Sequence, residues 1–376
     1  MTITAIQVKD FPWYDYSNYT FSLGLKTSVS TYLSGHTASE FDVAARRIVV
    51  RGSMTEQVRT IYAKVATILE GGGLGLGDVT RIVEYVRSDA LDRYAEVTAV
   101  RQELFSDDQI VVNTVPVKRL LRPEAFIEIE ITALPAEGAT HSAVFLPTIL
   151  PLDKNGDAMA VGDVAAQTEC ILERASTMLK TLGLGLDRVV KTATYMTPAA
   201  LKDYDNTQSV RASRLGPVFP TGVEVVVPSV SHPQALVQCD IIATREKPLL
   251  INPGWRYYDG LPLSPAVKAG KILYMSGQRA TDRNTGEVLY PGDIVAQADN
   301  IYGNILTLVR AAGGEVRNIA KTIEYVTTAS LDRYRDINNV RAKVLPKPLP
   351  ASTGLISERL LRPEMRLDVD AIAVLD

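Results

Sequence analysis

Apolar residues in this chain recur with helical spacing in three places, and each stripe is followed by strict alternation. Ile171, Ala175, Met178 and Leu179 fall at i, i+4, i+7 and i+8, one apolar face that predicts an amphipathic helix. Ile61, Val65, Ile68 and Leu69 repeat the stripe, as do Ile301, Ile305, Leu308 and Val309. Glycines end each helix (Gly71–Gly73, Gly183, Gly313–Gly314), as a left-handed C-cap favours a residue without Cβ. The runs RIVEYV, KTATYM and KTIEYV then predict a strand with period 2. A second helix follows, carrying Leu91, Tyr94 and Val100 or their counterparts. The segments AFIEIEITAL, ALVQCDIIAT and RLDVDAIAVL alternate again and predict closing strands, and SPAVKAG–KILYMSGQ (264–278) predicts a hairpin ahead of the helix.

The three patterns are one pattern. Residues 54–105, 164–215 and 294–345 align without a gap, at offsets of 110 and 130. Identical in all three are Gln57/Gln167/Gln297, Ile61/Ile171/Ile301, Tyr85/Tyr195/Tyr325, Leu91/Leu201/Leu331, Tyr94/Tyr204/Tyr334, Val100/Val210/Val340 and Arg101/Arg211/Arg341. A unit of about 125 residues is too long for a solenoid repeat and suits a small domain. The predicted organisation is therefore three homologous domains, 1–136, 137–248 and 249–376. Each reads ββαβαββ, an α+β module whose helices cover one face of a sheet. The bare face needs a partner, and three fused copies supply it to one another as an intramolecular pseudo-trimer.

Composition narrows the function classes. The formal charge of −3, with signs interspersed, gives no basic stripe for a phosphate backbone, so no nucleic-acid partner is expected. No apolar run reaches 18 residues and the N-terminus MTITAIQVKDFPWYDY has no signal-peptide pattern, so no membrane partner is expected. Two cysteines, Cys170 and Cys239, read as free thiols of a reducing compartment, which predicts a cytoplasmic protein. His36, His141 and His232 lie far apart without ligand spacing, so neither a metal nor a cofactor is expected. The glycine-rich GGGLGLG (71–77) follows a helix rather than opening one, which is the wrong context for a phosphate loop.

Several ordered features resemble the RidA/YjgF family. They are YLSGH (32–36) and YMSGQ (274–278) after the hairpin, the helix entries GDVAAQ and GDIVAQ, the strands VKTATYM and AKTIEYV, and the closing strands with IEIE or DVDAIAV. The resemblance covers nearly the whole chain three times. It implies three RidA/YjgF-like (chorismate mutase-like) modules, ligand clefts between neighbouring copies, and hydrolysis of reactive enamines and imines. The family's deaminases grip the substrate carboxylate with an arginine, which presents a planar bidentate donor. The matching positions here read Val112, Pro220 and Ser352. Typical 2-imino acid deamination is thereby put in doubt.

The family's water-orienting acid maps to Glu128, Gln238 and Asp368. A carboxylate can serve as general base or water anchor, whereas glutamine cannot take the proton. Glu128 and Asp368 are therefore the candidate catalytic residues, the alternative being solvated residues on an open strand face. Ser34, Gly35, His36, Ser276, Gly277 and Gln278 are expected to shape the clefts, with His36 either a proton shuttle or a satisfied turn residue. Trp13 and Trp255 lie 21 residues before Ser34 and Ser276, and Tyr16 and Tyr258 match likewise. They read either as a plug at the chain entry or as an aromatic wall over the ligand. Arg101, Arg341 and Asn338 are candidate substrate contacts, although an arginine ending a helix also suits the dipole. The motif RLLRPE, identical at 119–124 and 359–364, adds Arg122 and Arg362. Copy two reads Leu-Pro-Thr (146–148) where its siblings have Ser-Gly, with no room for the first hairpin strand, so it is expected to be structural.

The expected activity is that of a cofactor-free hydrolase, deaminase-like, acting on a C–N or related bond of a small reactive metabolite at an interdomain cleft. The pseudo-trimer is expected to be a monomer, with higher assembly open. One alternative is a non-catalytic module binding a small metabolite or a protein. Another is a ring-opening amide hydrolase, for which the repeated serine–lysine pairs are not found. Ribonuclease activity has no electrostatic support in this composition.

Overall fold

A computed structural model of the chain describes residues 3–105, 110–134 and 142–375. His141 and the expected boundary at 136/137 lie outside them. In each copy the first helix (Met54–Gly71, Val164–Thr181, Ile294–Ala311) buries its apolar stripe. Ser53 starts the first of these with a reciprocal capping box to Glu56, and Asp163 and Asp293 cap the other two. Gly73, Gly183 and Gly313 leave the helices at positive φ, as the glycine pattern predicts.

The central strand (Val79–Arg87, Val189–Met196, Ile319–Thr327) runs parallel to an outer strand (Val111–Val117, Thr221–Val226, Ala351–Ser357) and antiparallel to the closing strand (Ile127–Ala133, Val237–Thr244, Leu367–Val374). Copies one and three add the hairpin strands Gly24–Lys26 and Thr31–Leu33, or Ala266–Ala269 and Ile272–Met275, and an edge strand, giving six-stranded sheets. Copy two pairs only Ala143–Phe145 with its closing strand, a sheet of four among the described residues. The second helices are Tyr94–Leu104, Thr207–Arg214 and Ile337–Val344; Leu91 and Leu201 fall in the 3-10 turns before them.

Register corrects two alignments. The outer strands put Val112, Gly222 and Ser352 at equivalent positions, so copy two has Gly222, not Pro220, where the family's arginine would stand. The bridges His36–Ile129, Gln278–Val369 and Ile149–Cys239 make Ile149 the counterpart of His36 and Gln278. Thr148, not Pro147, therefore occupies the place of Gly35 and Gly277. Sequence comparison alone misses both because an irregular turn offers no periodicity to set the phase.

The conserved positions have identifiable tasks. Gln297 donates to Leu289 O, Tyr290 O and Glu364 O and accepts from Arg366 N, tying the first helix to the turn before the closing strand. Gln57 and Gln167 make corresponding ties. Tyr85, Tyr195 and Tyr325 line a small enclosed cavity of about 50 Å³ where the three sheets meet. Around it the copies exchange ion pairs in cyclic order: Arg81 to Asp240 at 3.8 Å, Lys191 to Asp370 at 2.6 Å, and Lys321 to Glu130 at 3.0 Å. Each pair joins a central strand to the next copy's closing strand, which is how the bare sheet faces find partners.

Candidate functional site

The repeated acid position lies opposite the repeated tyrosine on the central strand: Tyr85 with Glu128, Tyr195 with Gln238, Tyr325 with Asp368. Each acid position faces the outer strand of a neighbouring copy. The three junctions differ in what fills the space beside it.

At the junction of copies one and three a cavity of about 540 Å³ opens. Copy one contributes Glu128, Gly35, Thr37, Tyr14, Tyr19, Phe21, Arg119 and Arg122, and copy three contributes Ser352, Gly354, Tyr334, Arg335, Asn338 and Arg341. Gly35 is required by close approach, since a Cβ there would lie 2.2 Å from Glu128 Oε1. Glu128 is buried and makes no hydrogen bond with a described side chain. Burial, helped by the charge of Glu130 and opposed by Lys321 and Arg122, raises its carboxyl to about 8. It therefore carries a proton at neutral pH. Tyr14 and Tyr19 stack at 5.7 Å and Tyr19 packs on Phe21 at 5.0 Å, an aromatic wall. Arg119, Arg122 and Arg335 make no ion pair or side-chain hydrogen bond with a described residue, and Arg119 Nε is buried without a partner.

The junction of copies two and three is occupied. Arg279, at the position of Thr37, donates from Nε to Asp368 at 2.6 Å and from a terminal nitrogen to Glu224 at 2.7 Å. Glu224 stands where copy three has Gly354. Burial raises Asp368 to about 6 against the pull of Arg279. At the junction of copies one and two, Gln238 donates to Thr114 O at 2.7 Å and Thr148 bonds both Asp240 and Thr114 N. A threonine replaces the glycine there, compatible with a glutamine turned aside but not with an acid packed as Glu128 is.

The structure thus separates the sequence candidates. Glu128, Gly35, Asn338 and Arg341 meet in the open cleft. Asp368, Gly277 and Gln278 gather at the occupied one, where Gln278 donates to Ser276 O. Ser34 and Ser276 are staples between copies: Ser34 Oγ donates to Ser22 O and accepts from Ser352 N, and Ser276 Oγ donates to Ser264 O and accepts from Gly222 N. Burial pulls His36 down to about 3, so its imidazole is neutral at physiological pH and no shuttle there. Arg101 and Arg341 pair with Glu84 and Glu324 on their own central strands, at 2.5 and 3.3 Å; Arg341 still borders the cavity. Trp13 packs on Phe11 and lies over Lys64, Tyr16 donates to Val8 O, and Trp255 stacks on Tyr258 beside Arg283. Trp255 and Tyr258 are buried in the core of copy three, Trp13 and Tyr16 are half-buried, and none of the four lines the open cleft, whose aromatic wall is built by Tyr14, Tyr19 and Phe21. Sequence matching of Trp to Trp draws the eye to residues outside the open cleft. The plugging Arg279 was legible only as a difference from Thr37 beside an otherwise shared Ser-Gly turn.

Among the described residues no helix is long and apolar enough to cross a membrane, and no group of three or more His, Cys, Asp or Glu side chains could hold a metal.

Comparisons with known proteins agree with the repeat. The family model described as Endoribonuclease L-PSP matches three times, over residues 16–135, 140–245 and 260–375. A RutC family protein of Pyrococcus horikoshii is 30% identical over 112 residues, 30% of this chain and 86% of its own length. The 2-iminobutanoate/2-iminopropanoate deaminase of Mus musculus is 29% identical over 134 residues, 36% of this chain and 90% of its own. Among solved structures a chorismatase covers 79% of this chain and 93% of its own, with a TM-score of 0.51 and 14% identity, a likeness of fold alone.

Proposed function

Because the chain belongs to the Endoribonuclease L-PSP family, that of the RidA/YjgF proteins, as three tandem copies, we propose that it is a cofactor-free, deaminase-like hydrolase with one working cleft, between copies one and three. The observation that carries this reading is Glu128, a buried carboxyl lining a cavity of about 540 Å³, where burial raises its pKa to about 8. Relatives that bear deaminase names support the reaction class. In this reading the pseudo-trimer acts as a single unit with domains 1–136, 137–248 and 249–376. The two unpaired cysteines suit a cytoplasmic setting.

For an enamine the chemistry closes on Glu128 and one water. The Glu128 O–H gives its proton to the β-carbon, forming a C–H bond and an iminium. Water adds to the iminium carbon while its proton passes to the Glu128 carboxylate. Proton transfer from the new hydroxyl to nitrogen then breaks the C–N bond, releasing ammonia and a carbonyl compound. Without an arginine at Ser352, the carboxylate of a small 2-imino acid has no charge partner there, so its anchor lies elsewhere in the cleft.

Ammonia release from a panel of enamines and imines generated in situ tests the reading. Glu128→Gln is expected to lose roughly 10²–10⁴-fold in rate, the range of a lost general acid, while Asp368→Asn keeps most of it. Full activity in Glu128→Gln overturns the assignment.

A further inference from the structure

Three guanidinium groups in one cavity without an acidic partner are an unbalanced charge, and the chain as a whole is acidic by three. Arg119 and Arg122 come from the RLLRPE turn of copy one, and Arg335 from the turn before the second helix of copy three. The same turn in copy three behaves differently. Its Arg362 donates to Gly286 O at 2.7 Å and its Arg359 to Leu360 O at 3.4 Å. One motif therefore serves as scaffold in copy three and points unpaired cations into the cleft in copy one. Arg119 and Arg122 are half-buried and Arg119 Nε is buried without a partner, so their desolvation favours a ligand that answers them, whereas Arg335 is exposed at the rim of the cavity.

We infer that the cleft takes a dicarboxylate built on a flat unsaturated frame, one acid group held by Arg119 and Arg122 and the other by Arg335 across the junction. The inference rests on the reading of this cleft as a small-molecule site. Cations supplied by two different copies match two separated anionic groups better than one compact group. Guanidinium forks pair with carboxylates bidentately. The volume lies within the ~300–1,000 Å³ that drug-sized ligands occupy, beyond the need of a four-carbon imino acid. Tyr14, Tyr19 and Phe21, packed on one another, give the cavity a rigid aromatic side for a planar body.

Calorimetric titration of the full chain with benzene-1,3-dicarboxylate, benzoate and phenyl phosphate decides it. The dicarboxylate is expected to bind at least about tenfold tighter than benzoate, the worth of one further charge-assisted hydrogen bond. Arg335→Gln is expected to erase that difference and leave benzoate binding unchanged, whereas Arg119→Gln and Arg122→Gln weaken both. None of these side chains makes a scaffold hydrogen bond among the described residues, so the variants are expected to fold. Equal binding of dicarboxylate and benzoate overturns the inference, as does tighter binding of phenyl phosphate or indifference to Arg335→Gln. Binding and hydrolysis measured side by side on the wild-type chain separate the two levels of argument. Dicarboxylate binding that persists in a wild-type chain without any C–N hydrolysis fails the proposed reaction and keeps the inferred ligand. Hydrolysis of monoacids with no dicarboxylate preference does the reverse.

Discussion

Single residues decide which junction is open. Thr37 and Gly354 leave the copy one–three cleft empty where Arg279 and Glu224 fill its sibling. Thr37→Arg is accordingly expected to place a guanidinium against Glu128 and abolish turnover with the fold retained, as judged by circular dichroism and steady-state rates. Glu128 itself predicts two pH dependences. As a general acid it works protonated, so activity falls as pH rises through about 8. For stability, an unfolded glutamate releases its proton near pH 4.3 while the folded one keeps it to about 8. Rising pH across that window therefore favours the unfolded chain, and the loss is complete above it. Glu128→Gln removes the penalty, so the variant is expected to be more stable than the parent at pH 8, on the order of a few kcal/mol, and no more stable at pH 4. Urea unfolding at the two pH values measures it. The position of this acid was legible in the sequence through the family resemblance, as the first carboxylate of a closing strand that alternation predicts. Its protonation was not, because burial depends on chain segments hundreds of residues apart.

At the scale of elements, periodicity carried most of the information. The three first helices and the central and closing strands lie where the stripes and alternations put them, since each must bury one face whatever its neighbours are. The repeated glutamine explains itself only in contact: Gln297 satisfies four backbone groups between a helix and a distant turn. Gln297→Leu leaves Arg366 N–H without its acceptor and is expected to cost about 1–3 kcal/mol, visible as a lowered urea midpoint. Turns were the weak point. The shift of one residue in copy two, which places Thr148 at the glycine position, and of two at Gly222 arose where the chain has no repeating pattern.

For the molecule as a whole, the ion pairs around the central cavity bind each copy to the next. Lys321 is almost fully buried, pairs with Glu130 at 3.0 Å and also donates to Leu33 O at 2.7 Å. Lys321→Met leaves Glu130 as a buried charge without its partner and is expected to destabilise the chain by about 3–5 kcal/mol. Lys343→Met removes an exposed pair with Asp299 and is expected to leave the urea midpoint unchanged. A result with both variants alike would mean that the copies are held by apolar packing alone.

The sequence by itself determined that there are three copies, which faces of their first helices are apolar, and that the middle copy departs from its siblings at the hairpin, because these follow from repetition and period within short stretches. Only the tertiary structure decided that two equivalent acids have different surroundings. Whether a cleft is open depends on which side chains from two copies share one volume, Thr37 with Gly354 or Arg279 with Glu224. That is a matter of packing and desolvation between segments that no local pattern in the chain relates.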